Sequence, residues 1–215
     1  TPLPYNYIRD EGKAGGMSER LMAIVAEGNR GRVYLSPTDD QEIIAASAKP
    51  TWKPEAALPD NARDFKTPNY GMPTFGDLFT SRQLVALTTF SDLVGEAMEQ
   101  IRRDALATGL VNDNKPLRDG GTAALAYAEA IAAYLTAAIG KLSDYNSTIC
   151  SWISGGQTMR NTFGRQAIPM VWDFAEANSL SDSTGSLSSA LNQIDRVVNE
   201  LPATNGAVVE QADAQ

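Results

Sequence analysis

Two long runs of helix-forming residues, which follow a proline-rich stretch, constrain the fold of this sequence more than any other feature. Thr80 is a favourable helix N-cap and Gln83 follows at the spacing of a capping box, so we expect a helix to begin at Ser81. Apolar residues then recur at helical spacing as far as Thr108, and Gly109 ends the run. The first run therefore predicts a long amphipathic helix.

The second run, Thr122–Ile153, is rich in alanine, the residue with the highest helix propensity. It predicts a second long helix whose small side chains allow close packing. Glu129, Lys141 and Asp144 interrupt its apolar surface, so packing in a bundle is favoured over a membrane span. Together the runs predict a mainly α fold: a helical bundle-like segment of about six helices, with one or two short strands and a proline-rich connector.

Prolines at positions 50, 54, 59 and 68 mark the poorest stretch for regular structure, residues 49–72. They predict an extended connector, either a linker or an arm that lies on the surface. This connector divides the chain. Residues 1–48 form an N-terminal helix-strand-helix piece, residues 49–72 the arm or linker, residues 73–202 a helical domain, and residues 203–215 a frayed tail.

Shorter patterns fill in the first piece. Proline and glycine make Thr1–Gly16 an expected flexible lead-in, and apolar spacing predicts a short helix over Ser18–Glu27. Alternation predicts a strand over Arg32–Leu35. Thr38 precedes two aspartates, which suit the positive end of a helix dipole, so we expect a helix from there to about Ala48.

Two further helices are expected near the C-terminus. Ile168–Ala177 has a helical pattern, with Pro169 where a first turn tolerates it. Ser186 should cap a last helix, because the apolar residues after it follow helical spacing.

The residue types exclude several classes of site. The chain has no histidine, which excludes a histidine general base, a Ser-His-Asp triad and histidine metal ligands. A single cysteine, Cys150, excludes an internal disulfide and a zinc ribbon within the chain. Nothing favours secretion, so we expect a cytoplasmic protein. We assign no catalytic residue and no metal ligand.

The net charge of -8 bears on nucleic-acid binding. Contacts to phosphates need lysine and arginine, so an acidic chain is a poor DNA-binding protein unless it has a local basic cluster or basic neighbours in a longer protein.

One such cluster is the polar-aromatic turn that contains Arg160, Asn161, Arg165 and Gln166. Two arginines, a glycine and amides within seven residues suit contacts to phosphates or bases. An equally weighted interpretation is a helix N-terminus whose arginines pair with Asp173 or Glu176.

A second candidate pair, Arg82 and Gln83, lies in the first turn of the predicted long helix and could face a ligand or the solvent. Asp77, just before this helix, is expected to cap the backbone or to form an ion pair rather than to act in catalysis.

Four ordered strings carry a family resemblance over roughly Tyr7 to Pro202. They resemble the middle of bacterial adenine-specific DNA methylases, large proteins with an N-terminal domain of unknown function and a zinc-ribbon-like part, some of which accompany anti-phage gene clusters. The strings are YIRDEGKAGGMSERLMAIVAEGNRGRVYL, NYGMPTFGDLFTSRQLVALTTFSDLV, LSDYNSTICSW and NTFGRQAIPMVWDFAEAN.

The resemblance implies a larger Rossmann-like α/β methyltransferase that transfers a methyl group from S-adenosylmethionine to the exocyclic amine of adenine. The glycine-rich cofactor motif and the catalytic D-P-P-Y motif of that family are both missing here. The family pattern places them upstream of Thr1 and after Gln215. We therefore expect an internal, non-catalytic segment that binds no cofactor by itself, with DNA and the rest of the methylase as partners.

A methylase that extrudes its target base must also grip the surrounding DNA. The expected contacts are Arg160, Arg165, Asn161 and Gln166, followed by Arg82 and Gln83. The alternative is an acidic helical protein-interaction or scaffold module of a defence system. A stand-alone enzyme is a weak third interpretation.

Overall fold

The computed structural model describes residues 3–201, which contain five α-helices and two small antiparallel sheets of two strands each. The predicted mainly α fold is confirmed, but the described residues contain five α-helices and four strands where the sequence predicts about six helices and one or two strands. The predicted tail, residues 203–215, lies outside the described residues. The elements in chain order are α1 Tyr5–Lys13, β1 Ile24–Gly28, β2 Gly31–Leu35, α2 Asp39–Ala46, α3 Ser81–Ala107, α4 Ala124–Asp144, β3 Ser151–Ile153, β4 Thr158–Arg160 and α5 Leu187–Glu200, with 3-10 turns at Thr67–Tyr70, Phe75–Leu78 and Leu117–Asp119.

The predicted capping box at the start of α3 is confirmed. The Thr80 hydroxyl oxygen accepts a hydrogen bond from the Gln83 backbone N–H at 3.2 Å, and the Gln83 side-chain oxygen accepts from the Thr80 N–H at 2.9 Å. These bonds satisfy two amide groups that a helix start otherwise leaves unpaired. The N-cap of α2 at Thr38, with Gln41, follows the same rule, and this helix also begins where the sequence predicts.

The second long helix is shorter than predicted. It ends at Asp144, and Ser151–Ile153, expected to be helical, is strand β3. The Asn146 side-chain amide donates to the Leu142 carbonyl at 2.8 Å and to the Gly185 carbonyl at 2.9 Å. A polar side chain that takes a helix carbonyl in this way competes with the next helical turn, so the chain leaves the helix here.

Helix α4 packs against both α3 and α5. Ala124, Ala128 and Ala138 are fully buried, and their small side chains allow the close approach that the sequence predicted. Among residues 3–201, α4 is the one helix that is long and apolar enough to cross a membrane, with a mean hydropathy of 1.2 and 22% of its apolar window buried.

The helix predicted over Ser18–Glu27 is wrong, because this part of the chain enters a β-hairpin. Strand β1 pairs antiparallel with β2, and Gly28 lies opposite Gly31 across a two-residue turn. Gly31 has a φ of 133°, which side chains rarely adopt. The two glycines around this turn favour a hairpin over the helix that the apolar spacing predicts. The predicted strand Arg32–Leu35 is confirmed as most of β2.

The predicted flexible lead-in is also wrong, because it contains α1. This helix lies against the 3-10 turn at Thr67–Tyr70, and the two meet through glycines. A Cβ on Gly71, whose φ is 85°, would overlap the Gly12 carbonyl oxygen. A Cβ on Gly12 would lie 2.7 Å from the Tyr70 backbone carbonyl oxygen. The backbones can approach this closely only because both positions lack a side chain.

The proline-rich segment, residues 49–72, contains no α-helix and contributes to the core. Leu58 is buried with Leu78, Ile149 and Ile168 in one hydrophobic cluster. The segment therefore lies along the helical part of the chain and shares its core.

Residues 168–177 do not form the predicted helix. Ile168 donates its N–H to the Asp64 carbonyl at 2.8 Å and accepts from the Lys66 N–H at 3.0 Å, and Ala175 donates to the Cys150 carbonyl at 2.8 Å. These extended pairings occupy the backbone groups that a helix would need. The predicted cap at Ser186 is confirmed at the start of α5, where its hydroxyl accepts from the Ser189 N–H.

Candidate nucleic-acid interface

Residues 160–166 form a turn that we call the arginine turn, and Asp144 at the end of α4 fixes it. One carboxylate oxygen of Asp144 accepts from the Asn161 side-chain amide at 2.8 Å, and the other accepts from the Phe163 N–H at 2.9 Å. The Asp144 backbone carbonyl accepts from the Thr162 N–H at 2.7 Å. Three consecutive residues are thus tied to one residue of α4.

The inner side of the arginine turn is a buried polar network. The Thr162 hydroxyl donates to the Asp144 carbonyl at 2.8 Å and lies 2.7 Å from the Ser147 hydroxyl, which also accepts from the Ile149 N–H. Cys150, fully buried, has its sulfur 3.5 Å from the Thr162 hydroxyl. Buried polar atoms that satisfy one another hold the turn in a single arrangement.

The outer side of the arginine turn is exposed to solvent. Arg160, Phe163, Arg165 and Gln166 are all exposed, and Phe163 retains 56% of its accessible surface. Among residues 3–201, neither guanidinium has a carboxylate within 4.0 Å. Both charges are therefore available to an anionic partner.

The alternative in which these arginines pair with Asp173 or Glu176 at a helix start is wrong. No helix begins there, and Glu176 binds Arg82 instead. Asn161, predicted as a contact, uses its amide nitrogen to bind Asp144, so it orients the turn.

Arg82 forms a bidentate ion pair with Glu176. Its Nε and Nη2 donate to the two carboxylate oxygens at 3.0 Å and 2.9 Å. This hydrogen bonding, against the opposing effect of burial, raises the pKa of Arg82 above its ordinary value. The pair ties the start of α3 to the segment after β4, so Arg82 is engaged within the fold.

Gln83 is only 3% exposed, and its side-chain oxygen caps α3. Its side-chain nitrogen has no hydrogen-bond partner within the described part of the chain. Arg82 and Gln83 border a cavity of about 350 Å³, whereas Phe163 borders another of about 430 Å³, and the two share no lining residue. The six predicted contacts therefore lie in two places, and only the arginine turn presents unpaired cations.

Asp77 has the structural role that the sequence predicts. Its carboxylate accepts from the Thr74 N–H at 2.9 Å, from the Thr74 hydroxyl at 2.6 Å and from the Lys53 ammonium at 2.7 Å. Burial by itself raises the pKa of Asp77, but the bonds from Lys53 and Thr74 outweigh it and hold that pKa below its ordinary value. Asp77 thus caps a 3-10 turn and fixes the proline-rich segment to it.

Sequence inspection found the charged residues of the turn but missed Phe163 and the organising role of Asp144. The signal was present as two separate polar strings, SDYN and RNTFGRQ, which gave no indication that they touch. No family profile, curated protein or solved structure matches the chain. A function therefore has to be inferred from the turn and from the resemblance of the sequence strings.

Proposed function

We propose that the chain is an internal, non-catalytic segment of an S-adenosylmethionine-dependent adenine-specific DNA methyltransferase, and that it engages DNA through the arginine turn. The observation that carries this proposal is the pair of exposed, unpaired guanidinium groups, Arg160 and Arg165, on a turn that α4 holds rigid. Arginine on a fixed backbone is a favourable contact for phosphate oxygens, because the backbone loses little further conformational freedom on binding.

The sequence resemblance supports the choice of partner. The turn lies within the string NTFGRQAIPMVWDFAEAN, one of the four that resemble the methylase family. In this proposal the cofactor and the catalytic motif belong to the rest of the methylase, which is cytoplasmic. The present chain supplies a gripping surface and part of the scaffold.

The overall charge of -8 limits how the chain can bind DNA. An acidic body repels the duplex at long range, and the repulsion weakens within about 10 Å in 0.1 M salt. The turn therefore acts at contact distance, and basic parts elsewhere in the methylase provide the long-range attraction.

The test is charge reversal in the intact protein that contains this chain. Arg160→Glu with Arg165→Glu should weaken duplex DNA binding, and the slope of log affinity against log salt should fall by about 1.8 if both contact phosphates. The matched control is Arg103→Glu with Arg118→Glu, which changes the charge equally at two exposed positions outside the arginine turn, one on α3 and one in the 3-10 turn Leu117–Asp119. An equal loss in both variants, or none in either, contradicts the proposal.

A second candidate, a protein-interaction or scaffold module, is favoured by exposed apolar side chains. Ile43 and Ile44 on α2 are 65% and 69% exposed, and Leu35 next to this helix is 51% exposed. Neighbouring apolar groups on a surface mark a contact with another protein or domain. The second candidate replaces the first if Ile43→Asp with Ile44→Asp blocks assembly with a partner chain while charge reversal at Arg160 and Arg165 leaves DNA affinity unchanged.

A further inference from the structure

We infer that the cavity at the start of α3 binds a small uncharged carboxamide. This cavity, which we call the α3 cavity, lies between the first two turns of α3, Asn146 and residues 176–179. Its volume of about 350 Å³ is within the range of small-molecule sites. It shares no lining residue with the cavity that Phe163 borders, so the inference goes beyond the proposed function and does not rest on it.

The Gln83 side chain presents a buried donor at the α3 cavity. It is 3% exposed, and its oxygen accepts from the Thr80 N–H at 2.9 Å. This bond fixes which end of the amide is the oxygen, so the nitrogen is the group left to bind a ligand. No residue among 3–201 accepts a hydrogen bond from that nitrogen. A buried donor without an acceptor is unfavourable, and a ligand carbonyl would satisfy it.

Asn146 presents the complementary acceptor on the same cavity. Its side chain is 4% exposed, and its nitrogen donates to the carbonyls of Leu142 at 2.8 Å and Gly185 at 2.9 Å. These two bonds use both N–H groups, so the oxygen is the atom that can bind a ligand. A carboxamide carries a carbonyl acceptor and an N–H donor on one carbon. It can therefore satisfy Gln83 and Asn146 together.

The charges of the α3 cavity select against an ionic ligand. Among its lining residues the one cation, Arg82, and the one anion, Glu176, already bind each other through two hydrogen bonds. A carboxylate ligand would find no unpaired cation and would set an acceptor against the Asn146 oxygen. An ammonium ligand would set a donor against the Gln83 nitrogen. An uncharged amide meets neither conflict.

The experiment uses benzamide as the probe, because its ring suits the apolar lining residues Ala86, Leu87 and Ala177. Ligand-observed NMR titration of the intact protein should give a Kd of about 1 mM, as expected for a ligand of this size. Benzoate has the same shape but is charged and offers no donor, so it should bind at least ~10-fold more weakly. Equal binding of the two probes overturns the inference. So does the absence of benzamide binding, because water alone would then fill the cavity.

A filled cavity shows whether benzamide binds at this place. Ala86→Phe puts a ring into the α3 cavity and should abolish benzamide binding. The matched control is Ala137→Phe, which puts the same ring beside the other cavity and should leave the affinity unchanged. Native affinity in Ala86→Phe overturns the inference, because the probe would then bind elsewhere.

A second variant tests the donor without filling the cavity. Gln83→Glu keeps an oxygen that accepts from the Thr80 N–H, since glutamate also completes a capping box, but it removes the nitrogen that would bind the ligand. Benzamide should bind this variant at least ~10-fold more weakly, and thermal unfolding checks that the variant folds. Native affinity in this folded variant overturns the assigned role of Gln83 and the inference with it.

Discussion

The bond between Asp144 and Asn161 allows a sharp test of how the arginine turn is held. Asp144→Asn keeps the shape of the side chain, and one oxygen can still accept from the Phe163 N–H. Its new amide nitrogen, however, faces the Asn161 side-chain nitrogen, which in the native protein lies 2.8 Å from the Asp144 carboxylate oxygen. Two amide donors then face each other in place of a donor and an acceptor. The variant also loses the negative charge that strengthened the bonds from Asn161 and from the Phe163 N–H.

The expected cost follows from the bonds removed. A hydrogen bond to a charged group contributes about 1.5 to 3 kcal/mol. One such bond is lost and a second becomes neutral, but water can reach the outer side of the turn, so we expect a loss of about 2 kcal/mol in the free energy of unfolding. Asn161→Asp should cost a similar amount, because it places two carboxylates against each other. The double variant exchanges the two groups and should recover at least ~1 kcal/mol of the summed loss.

Urea unfolding of the four proteins measures this coupling. With a slope of about 2 kcal/mol per molar urea, Asp144→Asn should lower the midpoint by about 1 M without a change in slope. The control is Asp92→Asn, an exposed position on α3, which should change the free energy by less than about 0.5 kcal/mol. If the double variant is as unstable as the sum of the single ones, the bond does not hold the turn and our account of its rigidity is wrong.

Two other predictions concern the core and the proline-rich segment. The Leu78 side chain is 2% exposed, so Leu78→Ala should lower the free energy of unfolding by about 2 to 5 kcal/mol. The control Leu180→Ala, at a side chain 81% exposed, should change it little. Equal effects of the two variants in urea unfolding would contradict the assigned core. The pKa of Asp77 is lowered in the folded state, so its bonds stabilise the fold above the unfolded pKa of about 3.9. The stability difference between the native protein and Asp77→Asn should therefore be full near neutral pH and shrink as pH falls below about 4 toward the folded pKa. A difference that persists unchanged to pH 2 would refute this.

Helix starts were predictable from the sequence because their signals are local. At Thr80, Thr38 and Ser186 the cap residue binds an amide three positions away, so the information lies within one short string. The first long helix was likewise predicted to within one residue at its C-terminal end.

Helix ends and irregular segments were not predictable, because distant residues decide them. Asn146 ends α4 partly through Gly185, which is 39 positions away, and Ile168 pairs with residues of the proline-rich segment about 100 positions earlier. A helical pattern in residues 168–177 is outweighed by these pairings. The same limit applied to the candidate site: its charged residues were visible, but the contact with Asp144 that positions them was not.

The buried Cys150 under the arginine turn makes the motion of that turn measurable by thiol chemistry. As the only thiol in the chain, and one shielded by Thr162 and Ser147, it can react with a disulfide reagent only when the turn opens. In the native protein the reaction rate therefore reports the equilibrium between closed and open turn, multiplied by the intrinsic rate of a free thiol. If DNA binds the outer face of the arginine turn, as we propose, it should slow the reaction of Cys150 without contacting its sulfur.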